Sequence, residues 1–162
     1  MANHLIIASD VHPYDGPLIS APDVYRLMME HRCWEFPTAA TYLERLRAGD
    51  RLVFYLGGNR GRYFAGEARV AGDIEEITVR SSVTFDRKHV PFFRWRLPLA
   101  EIREYPPGRA GLDDMMELSF AREKEVTRPY IGLLLRVGRR DLTDADVALL
   151  RQRVGLVNKS VR

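Results

Sequence analysis

A small set of aromatic residues outside any helical pattern is the most distinctive chemistry of this sequence. Trp34 and Phe36 stand together in the segment 33–37, where one predicted helix has ended and the next has not begun. Aromatic rings at such a place can form the walls of a pocket for a flat ligand. The alternative is that Trp34 closes the end of a sheet as part of the core, as buried tryptophans often do.

Two further aromatic residues lie on predicted strands. In the strand 50–56, alternation sets Val53 and Tyr55 on one face, so that Tyr55 can reach a ligand edge if only the other face is core. Trp95 shares its predicted face with Phe93 and Leu97, and this pattern favours a core position over a ligand contact. Polar partners for a ligand edge follow the first strand, where Ser9 and Asp10 either bond the ligand or cap the strand.

The positive charge is carried almost entirely by arginine, since lysine occurs only at 88, 124 and 159. Arginine grips phosphate or carboxylate through two parallel hydrogen bonds. The net charge is only +3, and the arginines are scattered, which is also what an arginine-rich genome would give. Phosphate contacts and a solvated surface are therefore both open for the residues at the glycine hairpin, in the long loop and on the outer strand face, which are Arg60, Arg62, Arg87, Lys88, Arg94 and Arg96.

An enzymatic alternative comes from the first strand and the residues after it. A strand followed by Asp10 and His12 resembles the opening motif of calcineurin-like metallophosphoesterases, in which both residues would be metal ligands. The resemblance fails further along, because Val53 stands where a second acid is needed and Arg60 where a histidine is needed. Cys33 is the only cysteine, so no zinc motif is present. The sequence predicts a binding module with no metal and no cofactor.

Length and composition indicate one ordinary globular domain. The 162 residues are 46% hydrophobic and 29% charged. No apolar run approaches the roughly 20 residues of a membrane helix, and the start of the chain reads as a strand rather than a secretion signal. A single cysteine fits a reducing compartment, and we predict a cytoplasmic protein. The predicted domain covers 1–155, followed by a tail at 156–162.

The predicted elements place strands in the middle of the chain and helices at both ends. Ser20, with Asp23 three residues on, caps one helix, Thr38 caps a second, and Thr143 with Asp146 caps the last. Short helices are predicted at 112–118 and 130–135. The predicted strands are 4–9, 50–56, 62–71, 74–80 and 92–99, with Gly66 marking a bulge. This order predicts an α+β fold rather than alternating βαβ units.

The stretch from Trp34 to Asp73 carries a family resemblance. It reads W-E-F-P, a helix, A-G-D-R-L-V-F-Y-L, a glycine hairpin and Y-F-A-G-E-A-R-V. This order resembles the EVE branch of the PUA-like superfamily, with YTH domains more distantly similar. The segment Arg128 to Leu150 is similar to the C-terminal helices of some bacterial members. Two positions depart from the pattern: Ala8-Ser9 replaces a Lys-Ser pair, and Glu35-Phe36-Pro37 replaces V-R-N.

The resemblance implies a PUA-like fold, a mixed and strongly curved, barrel-like sheet of about five or six strands flanked by helices. It also implies binding of DNA or RNA that carries a modified base. A flipped base needs aromatic faces and polar edge contacts, and each stacked base contributes about 1–3 kcal/mol. An effector protein would then act in trans. A small-molecule or protein-interaction module stays open. The implied pocket is Trp34, Phe36, Tyr55, Ser9, Asp10 and Trp95.

Overall fold

The computed structural model describes residues 1–12, 16–77 and 93–156. These residues form seven strands, which are β1 (Asn3–Ala8), β2 (Cys33–Pro37), β3 (Arg51–Leu56), β4 (Tyr63–Val70), β5 (Glu75–Glu76), β6 (Phe93–Glu104) and β7 (Arg139–Leu142). Five helices are α1 (Ala21–Glu30), α2 (Leu112–Met115), α3 (Ser119–Glu123), α4 (Ile131–Leu135) and α5 (Asp144–Arg153), with 3-10 turns at Leu43–Arg45 and Arg128–Tyr130. None of these helices is long and apolar enough to cross a membrane.

The strands form one curled, mixed sheet in the order β2-β6-β4-β3-β1-β7, and β5 also pairs with β6. Strands β1 and β3 are parallel, and the other pairs are antiparallel. Strand β6 pairs through its first half with β2 and β5 and through its second half with β4. The sheet therefore turns a corner along β6, and Glu101 at this corner has a positive φ of 49°. The predicted α+β fold with a curved sheet is confirmed.

Gly66 lies beside a bulge in the β3–β4 pair, as its sequence position predicted. The register shifts between Phe54 and Tyr55, opposite Gly66. A Cβ at Gly66 would stand 2.3 Å from the Tyr25 hydroxyl oxygen and 2.6 Å from the Arg103 carbonyl oxygen. Only glycine fits this close approach of a helix side chain and a neighbouring strand, so the curvature and the packing of α1 depend on it.

Both faces of the sheet are buried, which corrects the expectation of a half-buried sheet. One cluster holds Leu52, Phe54 and Leu56 with the inner side of α1. The other holds Val53 and Tyr55 with side chains of the C-terminal helices. Because helices cover the second face as well, both sets of alternating residues are core. Tyr55 is therefore a core residue, and the prediction that its side chain is available to a ligand on an uncovered face of the sheet was wrong.

Two helix caps form where the sequence predicted them, whereas two short strands were not predicted. The Ser20 hydroxyl accepts from the Asp23 amide at 3.4 Å, and Thr143 forms a full capping box with Asp146. The helix predicted from Thr38 is wrong, since only the 3-10 turn at Leu43–Arg45 forms there. The predicted helix break at 33–37 is strand β2, and strand β7 was not predicted. Of the strand expected at 74–80, β5 is described, and residues 78–80 and the tail at 157–162 lie outside the described residues.

A buried polar network joins the start of β1 to β7. The His4 Nε2 lies 2.8 Å from the Asp50 Oδ2, and the Arg139 Nε donates to the His4 Nδ1 at 2.9 Å. Arginine can only donate, so Nδ1 is the acceptor and the proton of the neutral imidazole sits on Nε2. Burial lowers the pKa of His4, and the charge of Arg139 lowers it further against the opposing hydrogen bond with Asp50.

Candidate functional site

A cavity of about 500 Å³ opens beside the carboxyl end of β1. Its walls are the residues that follow β1, strand β2, the turn after β2, and the segment between α4 and β7. We call it the aromatic cavity, because Trp34, Phe36, Tyr42 and Phe93 line it. Its lining includes Ser9, Asp10, Trp34, Glu35, Phe36, Tyr42, Arg136 and Gly138.

Strand β2 places Trp34 and Phe36 on the same face, because side chains two residues apart in a strand point the same way. The indole of Trp34 is 5% exposed and packs on Phe54 with ring centres 4.9 Å apart. The ring of Phe36 meets that of Tyr42 edge-on, with centres 6.0 Å apart. Both predictions for Trp34 therefore describe it: it is a core residue, and it also lines the cavity.

Tyr42 is a cavity residue that the sequence reading missed. It follows Thr38 in the segment predicted as the second helix, and that helix does not form. Burial raises the pKa of its hydroxyl, which lies against Gly138, where an added Cβ would come within 2.8 Å of the hydroxyl oxygen. The signal that could have found it is its position just after the Trp34–Phe36 strand, in a turn with few other large apolar residues.

Ser9 and Asp10 both line the aromatic cavity, as predicted, but Asp10 also has a structural role. Its Oδ1 accepts a hydrogen bond from the Ala21 amide at 2.8 Å, which anchors the first turn of α1. The Asp10 carboxylate also lies against the hairpin, where a Cβ on Gly58 would stand 2.4 Å from Oδ1. Ser9 is exposed and borders a second cavity on the other side of β1.

Tyr55 does not join the other predicted pocket residues. It lines the second cavity, of about 440 Å³, together with Ile7, Arg62 and Arg128. Its ring packs against Phe64 at 5.0 Å, and burial raises the pKa of its hydroxyl to about 12. The curled sheet separates this residue from the Trp34 side, because Tyr55 and Phe54 point to opposite faces of β3.

Trp95 also lies outside the lining of the aromatic cavity. It pairs with Phe36 across strands β2 and β6 and packs at the margin of the core, where it is half-buried. The guanidinium carbon of Arg94 lies 5.2 Å from its ring centre, which is a cation–π contact. The core position favoured by strand alternation describes Trp95 better than a ligand contact does.

The predicted phosphate-binding residues that the structure describes have different surroundings. Arg60 and Arg62 are exposed at the hairpin, and Arg62 also has a positive φ of 70°. Arg94 donates to Glu76 at 3.1 Å, and Arg96 donates to the buried Glu35 at 2.9 Å. Arg87 and Lys88 lie outside the described residues. The structure instead brings Arg136, which follows the helix predicted at 130–135 and was not among the predicted contacts, to the border of both cavities.

The Asp10–His12 pair of the metal hypothesis stands at the edge of this region. Among residues 1–12, 16–77 and 93–156, no group of three or more histidine, cysteine or acidic side chains is arranged to hold a metal ion. One oxygen of Asp10 is engaged with α1, and His12 is exposed.

The fold of this chain is similar to that of proteins with known structures. By sequence, the chain matches no family model and no curated protein. By structure, it matches Rpa0253 from Rhodopseudomonas palustris with a TM-score of 0.55 and 13% identity, over 100% of this chain and 99% of that one. The DUF55 domain of human thymocyte nuclear protein 1 matches with 0.52 and 12%, over 96% and 100%. The chain has the EVE, or DUF55, fold. Human THYN1 in complex with 5-methylcytosine-containing DNA matches with 0.52 and 12%, over 99% and 100%.

The stretch from Trp34 to Asp73 carried the family resemblance. Its strand β2 lines the aromatic cavity, and its strands β3 and β4 lie at the centre of the sheet. The departure at Glu35-Phe36 is accommodated locally, since Glu35 is buried against Arg96 and Phe36 lines the cavity. The EVE-type fold predicted from the sequence is confirmed.

Proposed function

We propose that this protein binds nucleic acid and takes one base, carrying a methyl or hydroxymethyl group, out of the stack and into the aromatic cavity. The observation that carries the proposal is the wall formed by Trp34, Phe36 and Tyr42 beside the end of β1. Human THYN1, which shares the fold, is in complex with 5-methylcytosine-containing DNA. The two facts together favour a modified base over other flat ligands.

The lining of the cavity suits a base with a small apolar substituent. Its volume of about 500 Å³ falls within the range of small-molecule sites. Val11, Val24 and Phe93 add apolar surface to the three aromatic rings. A methyl group buried there removes apolar area from water, which contributes about 25 cal/mol per Å². This gain separates a modified base from an unmodified one.

Polar groups occupy the places where the edge of a base and its phosphates would come. The Ser9 hydroxyl, the Asp10 carboxylate and the Tyr42 hydroxyl lie along the lining and can bond a base edge. Arg136 is exposed and lines the border of the cavity, so it can reach the sugar-phosphate backbone of a nucleic acid whose base is bound in the cavity. We expect Arg136 to contact phosphate, because base contacts specify while phosphate contacts position.

We further propose that the protein acts by binding and not by catalysis, with an effector protein in trans. Whether the nucleic acid is RNA or DNA is an outcome of the test below. The cytoplasmic location stays a prediction.

The test uses a variant that fills the cavity without removing a core residue. Ala39 is exposed and lines the cavity, so Ala39→Phe should block it while the fold persists. Ala145→Phe, at an exposed position on α5 outside every cavity described above, is the matched control. Both are made in a Trp95→Phe background, which leaves Trp34 as the only tryptophan and therefore as the fluorescence reporter.

Oligonucleotides, DNA and RNA, plain or carrying methylated or hydroxymethylated cytosine or methylated adenine, are titrated at two salt concentrations. We expect one modified oligonucleotide to quench Trp34 and to bind about fourfold more tightly than its plain form, because one buried methyl group contributes about 0.8 kcal/mol. Binding should weaken at high salt. Ala39→Phe should abolish the quenching and Ala145→Phe should keep it. Equal affinity for plain and modified strands, or no binding at all, would overturn the proposal.

A further inference from the structure

A third cavity lies near the amino-terminal ends of β1 and β3. Arg51 begins β3 and pairs with Asn3, whereas the lining of the aromatic cavity begins at Ile6 of β1. At about 3.3 Å per residue, the three steps from Asn3 to Ile6 separate the two regions by roughly 10 Å along the strand. This polar cavity of about 470 Å³ is lined by Arg51, Glu67, Arg69, Glu101, Arg103 and Arg151, and we call it the arginine basin.

Strand pairing gathers these charges on one face of the sheet. Arg51 is the cross-strand partner of Arg69, and Glu67 is the partner of Arg103. Arg151 reaches the same place from α5. Four guanidinium groups therefore share the basin with two carboxylates, and its lining carries net positive charge.

Both carboxylates are already engaged. The buried Glu67 accepts from the Arg151 Nε at 3.1 Å and Nη2 at 2.5 Å, and from the Tyr105 hydroxyl at 2.6 Å. Glu101, on the strained corner of β6, lies 2.9 Å from the Arg69 Nε. Two arginines of the basin are thus neutralised, and two are left over.

The two remaining cations are Arg51 and Arg103. Within residues 1–12, 16–77 and 93–156, neither guanidinium group makes a hydrogen bond or an ion pair to a side chain or a carbonyl group. Arg51 is half-buried, and its pKa is lowered first by burial and then by the charges of Arg151 and Arg69. Arg51 therefore lies among the like charges of Arg69 and Arg151, and an anion bound in the basin would relieve that repulsion.

We propose that the arginine basin is a second ligand site, which holds a phosphate or pyrophosphate group on the guanidinium groups of Arg51 and Arg103. The planar fork of arginine matches phosphate oxygens in pairs. The phosphate group belongs either to a small phosphorylated molecule or to a nucleic-acid backbone. The site is independent of the base-binding proposal, because the two cavities share no lining residue.

Inorganic pyrophosphate is the probe, at constant ionic strength so that screening does not change. Its binding is followed by amide chemical shifts of residues 67–69 and 101–103 and by thermal stability. The double variant Arg51→Gln/Arg103→Gln removes the free cations. Arg45→Gln/Arg109→Gln is the matched control, since both residues are exposed and line no cavity described here. The single variant Arg103→Gln, at an exposed position, guards against a folding defect.

We expect pyrophosphate to shift the basin amides of the wild type and the control alike. Arg51→Gln/Arg103→Gln should bind at least about tenfold more weakly, because the charge-assisted hydrogen bonds of both guanidinium groups to the anion are lost. Arg103→Gln should show part of this loss. Displacement of pyrophosphate by an unmodified oligonucleotide would identify a backbone phosphate, and failure to displace it would identify a small ligand.

Absence of basin shifts in the wild type, or equal affinity in the double variant and the control, would overturn the proposal. Ala39→Phe should leave the shifts unchanged, which separates this test from that of the proposed function.

Discussion

Strands β1 and β3 connect two sites that are built in opposite ways. At the carboxyl end, the walls of the aromatic cavity are core side chains, such as Trp34 packed on Phe54. At the other end, the arginine basin consists of charges that remain after the ion pairs of Glu67 and Glu101 are formed. The first site is fixed by folding, whereas the second is stabilised by what it binds. Mutations should therefore affect stability strongly at the first site and weakly at the second.

The largest effect that would sharpen this contrast is expected at Trp34. Replacing it with alanine removes a 5%-exposed indole and its contact with Phe54. We expect Trp34→Ala to lower the free energy of unfolding by about 3–5 kcal/mol, measured by urea denaturation. Trp95→Ala, at a half-buried position, is the matched control and should cost clearly less. A loss below about 1 kcal/mol for Trp34→Ala would show that the wall is not part of the core, and the contrast would fail.

An intermediate effect is expected at His4, whose network lies beneath the start of β1. The folded-state pKa of His4 is lowered, so the unfolded chain binds a proton more readily than the folded one. The stabilisation is complete above the unfolded pKa of about 6.5 and is lost as the pH falls from there towards the folded pKa. The free energy of unfolding should fall by at most about 1.4 kcal/mol per pH unit in that window.

The control for His4 is His4→Gln, whose amide can accept from Arg139 and donate to Asp50 without titrating. Its unfolding free energy should fall less steeply between about pH 6.5 and 5. Parallel pH profiles for the two proteins would mean that His4 does not carry the acid sensitivity.

The smallest effect is expected at Arg60, exposed at the hairpin. Arg60→Gln should change the unfolding free energy by less than about 0.5 kcal/mol, like most surface changes. If Arg60 contacts a phosphate, as predicted, the slope of log affinity against log salt should fall by about 1 for an oligonucleotide that the wild type binds. Arg45→Gln serves as the comparison and should keep the slope. An unchanged slope for Arg60→Gln would leave Arg60 as a solvated side chain.

Local signals in the sequence predicted much of the fold. The caps at Ser20 and Thr143 and the bulge at Gly66 each depend on neighbouring residues, and each was predicted correctly. Strands β2 and β7 were missed because their pairing partners lie far along the chain. Cys33 pairs with Pro98, and Arg139 pairs with Ile6. Short strands of this kind are specified by their neighbours and not by their own composition.

The candidate site was only partly predictable for the same reason. Trp34, Phe36, Ser9 and Asp10 were expected together and do line one cavity. Tyr55 was misplaced because a single strand cannot show that helices cover both faces of the sheet. The arginine basin left no local signal, since Arg51 and Arg103 are 52 positions apart and meet only through strand pairing.

The pairing of β1 with β7 has a consequence for synthesis on the ribosome. Strand β1 contains residues 3–8, yet its outer partner is residues 139–142. At about 5–20 residues per second, several seconds pass before that partner emerges. During this time one edge of β1, rich in Leu and Ile, has free backbone groups that can pair with another chain. The nascent protein should therefore depend on chaperones more than its modest size would suggest.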